Sequence, residues 1–310
     1  MSQSDRNRVA GGQLSSTEVS NGNPGAPAHG LRQPLTVVAA MLNEKENLKP
    51  WLENLEWADQ IILVDHGSVD GSLEQARLQP NCHCISATPG EGLIEDIRRL
   101  GIAEVSEGWV LIMDLDERVS GELKSEIEAL VESDSTVCGY RIPFRHYVFG
   151  RWLKHGGWDD LHLRLFRAGH GSYVPGRIHA DAVVEGEVEN LQSSILHFAH
   201  PTLHDFVMRM NRYTTQSAPL LASGEPGGLR KRVMLPASRW RWLQASASFF
   251  WTRYITHRGF RDGMAGFVIA VMLSAYLFVE QSKAWEYSLS SVNSDPLSET
   301  ETDIEISRRS

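Results

Sequence analysis

Three carboxylates close one apolar run of this 310-residue chain: Trp109-Val-Leu-Ile-Met-Asp-Leu-Asp-Glu-Arg118 carries Asp114, Asp116 and Glu117 at its end. An apolar run without alternation reads as a strand buried on both faces. Carboxylates are costly to bury unpaired, so these three are expected at the carboxyl edge of a sheet, facing water or a cation. Asp114 and Asp116 stand two apart and would point the same way on an extended strand. Hard oxygen ligands so placed suit Mg²⁺ or Mn²⁺, which take one or two carboxylates together with substrate phosphates. Asp159-Asp160 is a second, adjacent acidic pair, in which mutual repulsion is expected to raise one pKa.

The elements that must position these groups follow from periodicity. Leu35–Leu42 reads as a buried strand and Asn47–Trp57 as a helix with Leu48, Trp51, Leu52 and Leu55 on one face. Asp59–Asp65 is a second strand, ending in the turn-rich loop His66–Ser72, where Asp70 or Ser72 is suited to cap the next helix. Cys82–Ala87 is a short third strand; Cys82-His83-Cys84 lacks the second half that a zinc site needs. Glu91–Val105 is expected to be a helix with Leu93, Ile94, Ile97, Leu100 and Ile102 inward, and Gly121–Glu132 an amphipathic helix after the acidic strand. Strand–helix alternation with short connections implies βαβ units and a parallel sheet, which binds ligands at the carboxyl ends of its strands. That edge collects Asn43-Glu44, Asp65–Asp70 and Asp114–Glu117. With no Gly-x-Gly-x-x-Gly after the first strand and no Walker lysine loop, neither a dinucleotide fold nor a P-loop enzyme is supported.

Beyond Val137 the pattern changes to short strands around a loop rich in Trp, His and Gly, Arg151–Asp160, suited to face a substrate. From Pro201 to about Glu286 the chain reads as helical, with Asp205–Leu221 one helix. The net charge is -9, which argues against a general nucleic-acid binder, yet residues 201–290 hold 11 Lys and Arg against 5 Asp and Glu. Arg230-Lys-Arg232, Arg239-Trp-Arg-Trp242 and Phe249-Phe-Trp251 interleave bases with aromatics, as in a helix lying at an anionic membrane surface. The 17 uncharged residues 263–279 are at the lower limit for a span, so an in-plane or core helix is expected. Residues 1–33 and 289–310 read as disordered tails, the second acidic. Three cysteines without framework spacing, and no signal-peptide core in the first 33 residues, point to the cytoplasm.

Met41-Leu-Asn-Glu44, Val64-Asp-His-Gly-Ser-Val-Asp-Gly-Ser72 and Trp109–Arg118 resemble, in order and spacing, the motifs of family 2 glycosyltransferases, which have the GT-A fold. His155-Gly-Gly-Trp158, Leu163-Arg-Leu-Phe-Arg167, Asn211-Arg-Tyr-Thr-Thr215, Arg258–Gly263 and Lys283-Ala-Trp-Glu286 resemble the bacterial branch that includes the lipopolysaccharide core β-1,4-glucosyltransferases. The resemblance implies an α/β, Rossmann-like GT-A domain over 34–200, its mostly parallel sheet flanked by helices, and a membrane-associating helical region over 201–288. It implies Asn43, Glu44 and Asp65 on the uridine of a UDP-sugar, Asp70 shaping that loop, and Asp114 towards the ribose. Asp114 and Asp116 would form the metal-binding Asp-x-Asp element, and Asp160 would be the base of an inverting transfer. The partners implied are a UDP-sugar donor, a lipid-linked saccharide acceptor and an anionic membrane surface, with the protein peripheral to the inner face of the cytoplasmic membrane. His66 stands where the family more often has Ser, and Ala180 follows His179 where relatives usually carry Glu; His179 is left as a structural residue or a neighbour of the diphosphate. Arg98-Arg99 either reach the diphosphate or line the outer face of a helix. Two other classes fit the sequence less well. A nucleotidyltransferase would need a Gly-rich, basic loop after the first strand, which Met41–Glu44 does not offer. A catalytically silent membrane-bound scaffold is disfavoured by the intact Asp114, Asp116 and Asp160.

Overall fold

A computed structural model describes residues 32–88, 94–175, 181–224 and 239–292. Its first half alternates as β1 (Leu35–Met41), α1 (Lys45–Asn54), β2 (Gln60–Asp65), α2 (Ser72–Arg77), β3 (Cys82–Ser86), α3 (Ile94–Ala103) and β4 (Trp109–Ile112). Then come β5 (Glu117–Val119), α4 (Gly121–Val131), β6 (Gly139–Val148), β7 (Arg151–Trp152), β8 (Leu161–Arg167), β9 (Gly171–Ser172), β10 (Val183–Val184), β11 (Val188–Asn190) and β12 (Ile195–His200). The described residues end in three α-helices: α5 (Leu203–Ala222), α6 (Arg239–Trp251) and α7 (Gly263–Val292). The main sheet runs β3-β2-β1-β4-β8-β6-β12-β5. β3, β2, β1 and β4 are parallel, β8 runs antiparallel between β4 and β6, and β5 closes the edge antiparallel to β12. This is the mostly parallel α/β sheet with flanking helices expected from the periodicity.

The β1 run Leu35–Met41 is buried throughout because both faces are covered. Leu35, Val37, Ala39 and Met41 pack with Trp51 of α1 and Ile127 of α4; Val38 and Ala40 meet Ile97 and Ile102 of α3 on the other face. Alternate residues of one strand thus serve two cores, as a period of two requires.

Three local expectations need correction. The expected inward face of α3 is rotated: Ile97 and Ile102 are buried, but Ile94 and Leu100 are about half exposed, while Glu95, Arg98 and Gly101 are buried; Leu93 lies outside the described residues. The cause is close approach. A Cβ on Gly101 would sit 2.6 Å from Val38 Cγ1 and 2.9 Å from Val64 Cγ2, so only glycine lets α3 pack this near β1 and β2. That contact turns Arg98 inward. Second, neither Asp70 nor Ser72 caps α2. Its N-cap is Gly71 at φ 91, and Asp70 instead accepts from the Ser72 and Lys45 backbone N–H groups, both at 3.0 Å. Third, β4 stops at Ile112, so Asp114 and Asp116 lie on a turn rather than an extended strand.

The C-terminal helices form their own apolar cluster, with Phe206, Phe249, Ile269, Leu273 and Leu277 packed around Val148 and Leu153. A capping box starts α5: Thr202 accepts from the Asp205 N–H at 3.1 Å, and Asp205 accepts from the Thr202 N–H at 3.1 Å. α7 holds α5 through Lys283, which donates to the Asn211 carbonyl and side chain and to Thr215, and through Ser217, which donates to Glu280 at 2.8 Å. The helical stretch Gly259–Leu289 is long and apolar enough to cross a membrane by length and composition, with a third of its most apolar window buried. Of the expected tails 1–33 and 289–310, residues 1–31 and 293–310 lie outside the described residues, as does the basic triplet Arg230–Arg232, while 289–292 belong to α7 rather than to a tail.

Candidate active site

The turn after β4 carries the acidic cluster. Met113 N–H donates to the Val38 carbonyl, and Glu117 N–H to the Asp114 carbonyl at 3.0 Å, so the turn is tied both to β1 and to itself. Its three carboxylates take different partners. Asp114 is paired with Arg98 of α3 and lies 3.5 Å from Arg164 of β8. Asp116 accepts from Arg209 of α5 at 2.8 Å and lies 3.7 Å from His197 of β12. Glu117 faces neither water nor a cation-binding space. It is 1% exposed, accepting from the Asp114 N–H at 2.8 Å and from Arg164 at 3.0 Å. Burial works to raise Asp116, but His197 and Arg209 hold it well below the usual carboxylate range. Burial is likewise outweighed at Asp114, by Arg98 and Arg164. At Glu117 burial wins and pushes the carboxyl up to about 7, with Arg164 opposing.

The loops after β1 and β2 are stitched together beside this turn. Asn43, at φ 56, donates its N–H to Ser68 Oγ at 2.9 Å and accepts from the Val69 N–H at 2.8 Å. Glu44 N–H donates to Ser72 Oγ at 3.0 Å. The Asp65 carboxylate accepts from Gly67 N–H at 3.2 Å and Ser68 N–H at 3.3 Å, shaping its own loop. Burial raises Glu44, and the nearby Asp116 adds to the rise while Asn47 and Arg209 oppose it. Hydrogen bonds from Ser72 and the Lys45 N–H overcome burial and lower Asp70.

Asp160 precedes β8 with its side chain 46% exposed and Oδ2 3.1 Å from His146 Nε2. His146 of β6 is 6% exposed, stacked near Phe144 and tilted against Trp158. Its Nδ1 lies 3.0 Å from His197 Nδ1. A line of side chains therefore runs Asp160–His146–His197–Asp116. His146 lowers Asp160 below the usual carboxylate range. This corrects the expectation that the Asp159 neighbour would raise it: a histidine at contact distance outweighs an adjacent carboxylate in solvent. The Trp-His-Gly loop before Asp160 is pinned from the C-terminal region. Arg253 donates to the Gly156 and Gly157 carbonyls at 2.8 and 2.7 Å and lies over the Trp158 ring, and His155 pairs with Asp262 at 3.0 Å.

Residues 36–179 match the family model described as Glycosyl transferase family 2. That stretch carries the family 2 glycosyltransferase domain. The chain is similar to the lipopolysaccharide core biosynthesis glycosyltransferase LpsC of Rhizobium meliloti (strain 1021), 26% identical over 260 residues, covering 82% of this chain and 92% of that protein. Among solved structures it is similar to the mannosyltransferase PcManGT from Pyrobaculum calidifontis in complex with GDP-Man and Mn²⁺. That likeness has 14% identity and a TM-score of 0.48, covering 85% and 90% of the two chains. Residues 1–349 of S. aureus TarS are similar at 13% identity and a TM-score of 0.43, covering 83% and 92%.

The residues singled out by sequence gather around the acidic turn: Asn43, Glu44, Asp65 and Asp70 in the stitched loops, Asp114 and Asp116 on the β4 turn, and Asp160 joined to Asp116 through His146 and His197. Sequence reasoning missed Arg164, His146, His197 and Arg209, and left Arg98 between two readings, of which burial against Asp114 excludes the outer face. A metal's fit is decided by single carboxylates here, because among the described residues no group of three or more His, Cys, Asp or Glu is disposed to hold one; His179 lies outside them. Mg²⁺ and Mn²⁺ accept one protein carboxylate when substrate phosphates and water complete the shell. The Asp116 side chain is 13% exposed against 27% for Asp114, but its partner Arg209 is more solvated than Arg98 or Arg164, so Asp116 is the one whose partner can give way to a metal. Asp114 is enclosed by two buried guanidinium groups.

Proposed function

We propose that the transferase moves a hexose, glucose in this reading, from a UDP-sugar to a lipid-linked saccharide, with inversion at the anomeric carbon. The observation that carries the reading is the line of contacts Asp160–His146–His197–Asp116, which joins a carboxylate suited to the acceptor side with one suited to the donor side. Asp160 accepts the proton of the acceptor hydroxyl as that oxygen bonds to the anomeric carbon, and the C–O bond to UDP breaks with its electron pair leaving on the β-phosphate. Held below the usual carboxylate range, Asp160 is ionised and ready to accept at neutral pH. Asn43, Glu44 and Asp65 form the uridine end, Asp70 fixes their loop, and Asp114 faces the ribose. Asp116, with Asp114 behind it, would hold Mg²⁺ or Mn²⁺, which offsets the charge developing on the leaving diphosphate.

In this reading 34–200 is the catalytic unit and 201–288 the membrane-facing one. α7 leaves Met264, Phe267, Val271, Phe278, Trp285 and Leu289 exposed at helical spacing while its other face packs on α5 and α6. Such a stripe suits insertion into the lipid interface, peripheral to the inner face of the cytoplasmic membrane. The role in lipopolysaccharide core biosynthesis given to the Rhizobium relative supports an acceptor of that class.

The test is Asp160→Asn. Transfer should fall by on the order of 10²–10⁴-fold, with UDP affinity near wild type. A parallel loss of UDP affinity would instead assign Asp160 a structural role.

A further inference from the structure

The C-terminal region does more than carry an apolar face. α5 lays Arg209 and Arg212 over the carboxylate edge, one turn apart. Arg209 Nη1 is 2.8 Å from Asp116 Oδ2, and its charge also acts on Glu44. The Arg212 charge acts on His66, in the loop after β2. Both loops of the proposed uridine end thus have an α5 guanidinium beside them.

The arginines on the acidic turn are not equivalent. Arg98 and Arg164 have side chains only 9% and 11% exposed and approach from within the fold, pairing with Asp114 and Glu117. Arg209 is 29% exposed and approaches from a helix outside the sheet. Its backbone is fixed by the capping box at Thr202 and by the Lys283 and Glu280 contacts of α7. A guanidinium with a fixed stem and a partly solvated head can exchange one anion for another nearby, and its planar fork matches phosphate oxygens.

We infer that Arg209 leaves Asp116 on donor binding and takes the β-phosphate of the nucleoside diphosphate, stabilising it as the leaving group. The inference rests on the nucleotide-sugar reading of the site. As the anomeric C–O bond breaks, the electron pair goes to the β-phosphate oxygen, and the Arg209 N–H groups donate to that oxygen without transferring a proton. Charge on that oxygen grows towards the transition state, so the contact strengthens where it accelerates the reaction. The exchange also frees Asp116 at the moment the diphosphate arrives.

The discriminating probe is the β-phosphate itself. Binding of UMP and UDP is measured by calorimetry with Mn²⁺ on the full chain, for wild type, Arg209→Ala and Arg209→Lys. The Ala variant should bind UMP within about twofold of wild type but UDP about tenfold or more weakly, with Lys between them. Its turnover of the donor should fall on the order of 10²–10³-fold. Equal losses for UMP and UDP would show that Arg209 only supports the fold of the edge, and unchanged UDP affinity would show that it stays on Asp116; either overturns the inference. The Lys variant keeps a cation beside Asp116, which guards against reading misfolding as lost contact. A wild-type chain that binds neither nucleotide would overturn the nucleotide-sugar reading and this inference with it, an outcome distinct from failure in the variants alone.

Discussion

Replacing Arg164 by Met tests whether the acidic turn is held by charge balance from beneath. The Arg164 side chain is 11% exposed and pairs with Glu117, 1% exposed, at 3.0 Å and with Asp114 at 3.5 Å. Met keeps much of the apolar stem and removes the charge. Glu117 is then left in a site whose burial already pushes it up to about 7. Breaking a buried pair from one side costs about 3–5 kcal/mol, a large share of the roughly 5–15 kcal/mol that holds a typical domain. The sign with pH is fixed. A carboxyl raised in the folded state contributes most below its unfolded value, near 4.5, and that contribution is lost as pH rises through the folded value. Arg164→Met should therefore cost more at pH 8 than at pH 5. Adding Glu117→Gln removes the stranded charge while its carbonyl still accepts from the Asp114 N–H, and should recover about 1–3 kcal/mol. Urea denaturation of the four proteins of this cycle at both pH values supplies the comparison. A cost below about 1 kcal/mol for Arg164→Met, or strictly additive effects of the two changes, would refute the reasoning.

Gly101→Ala should destabilise by about 1–3 kcal/mol, because its methyl must displace Val38 and Val64 methyls 2.6 and 2.9 Å away; thermal melting reads it, and an unchanged Tm contradicts the packing argument. His200 is lowered to about 4, chiefly by burial and then by Arg209. A lowered histidine takes up its proton more readily when unfolded, so wild type should lose at most about 3 kcal/mol as pH falls from 6.5 towards 4, and His200→Asn should lose less in denaturation at matched pH. The double change Met264→Glu and Phe267→Glu, at exposed positions of α7, should release the protein from anionic vesicles in a sedimentation assay while donor hydrolysis persists.

The alternation of strands and helices was legible because buried runs such as Leu35–Met41 and Trp109–Ile112 carry their burial in composition. The carboxylates were legible because desolvation forbids leaving Asp114 and Asp116 unpaired inside a core, and spacing placed them at a strand end. The partners were not. Arg209 lies 93 residues after Asp116 and His197 lies 51 after His146, and nothing local in a helix or strand pattern encodes such pairings. Arg98 was legible as a candidate but not as a buried one, because the facing of α3 is set by one close contact at Gly101 rather than by its apolar residues. Glu117 misled for the opposite reason: it looks like part of a water-facing cluster, and the distant Arg164 makes its burial tolerable.

The most direct measurement is nucleotide release from a panel of UDP- and GDP-sugars by the purified protein without acceptor, with Mn²⁺ or Mg²⁺ and with EDTA. Asp116→Asn and Asp160→Asn would be run beside it. The account predicts metal-dependent release of UDP from one sugar, lost in Asp116→Asn. No release from any donor, with no nucleotide binding, would contradict it.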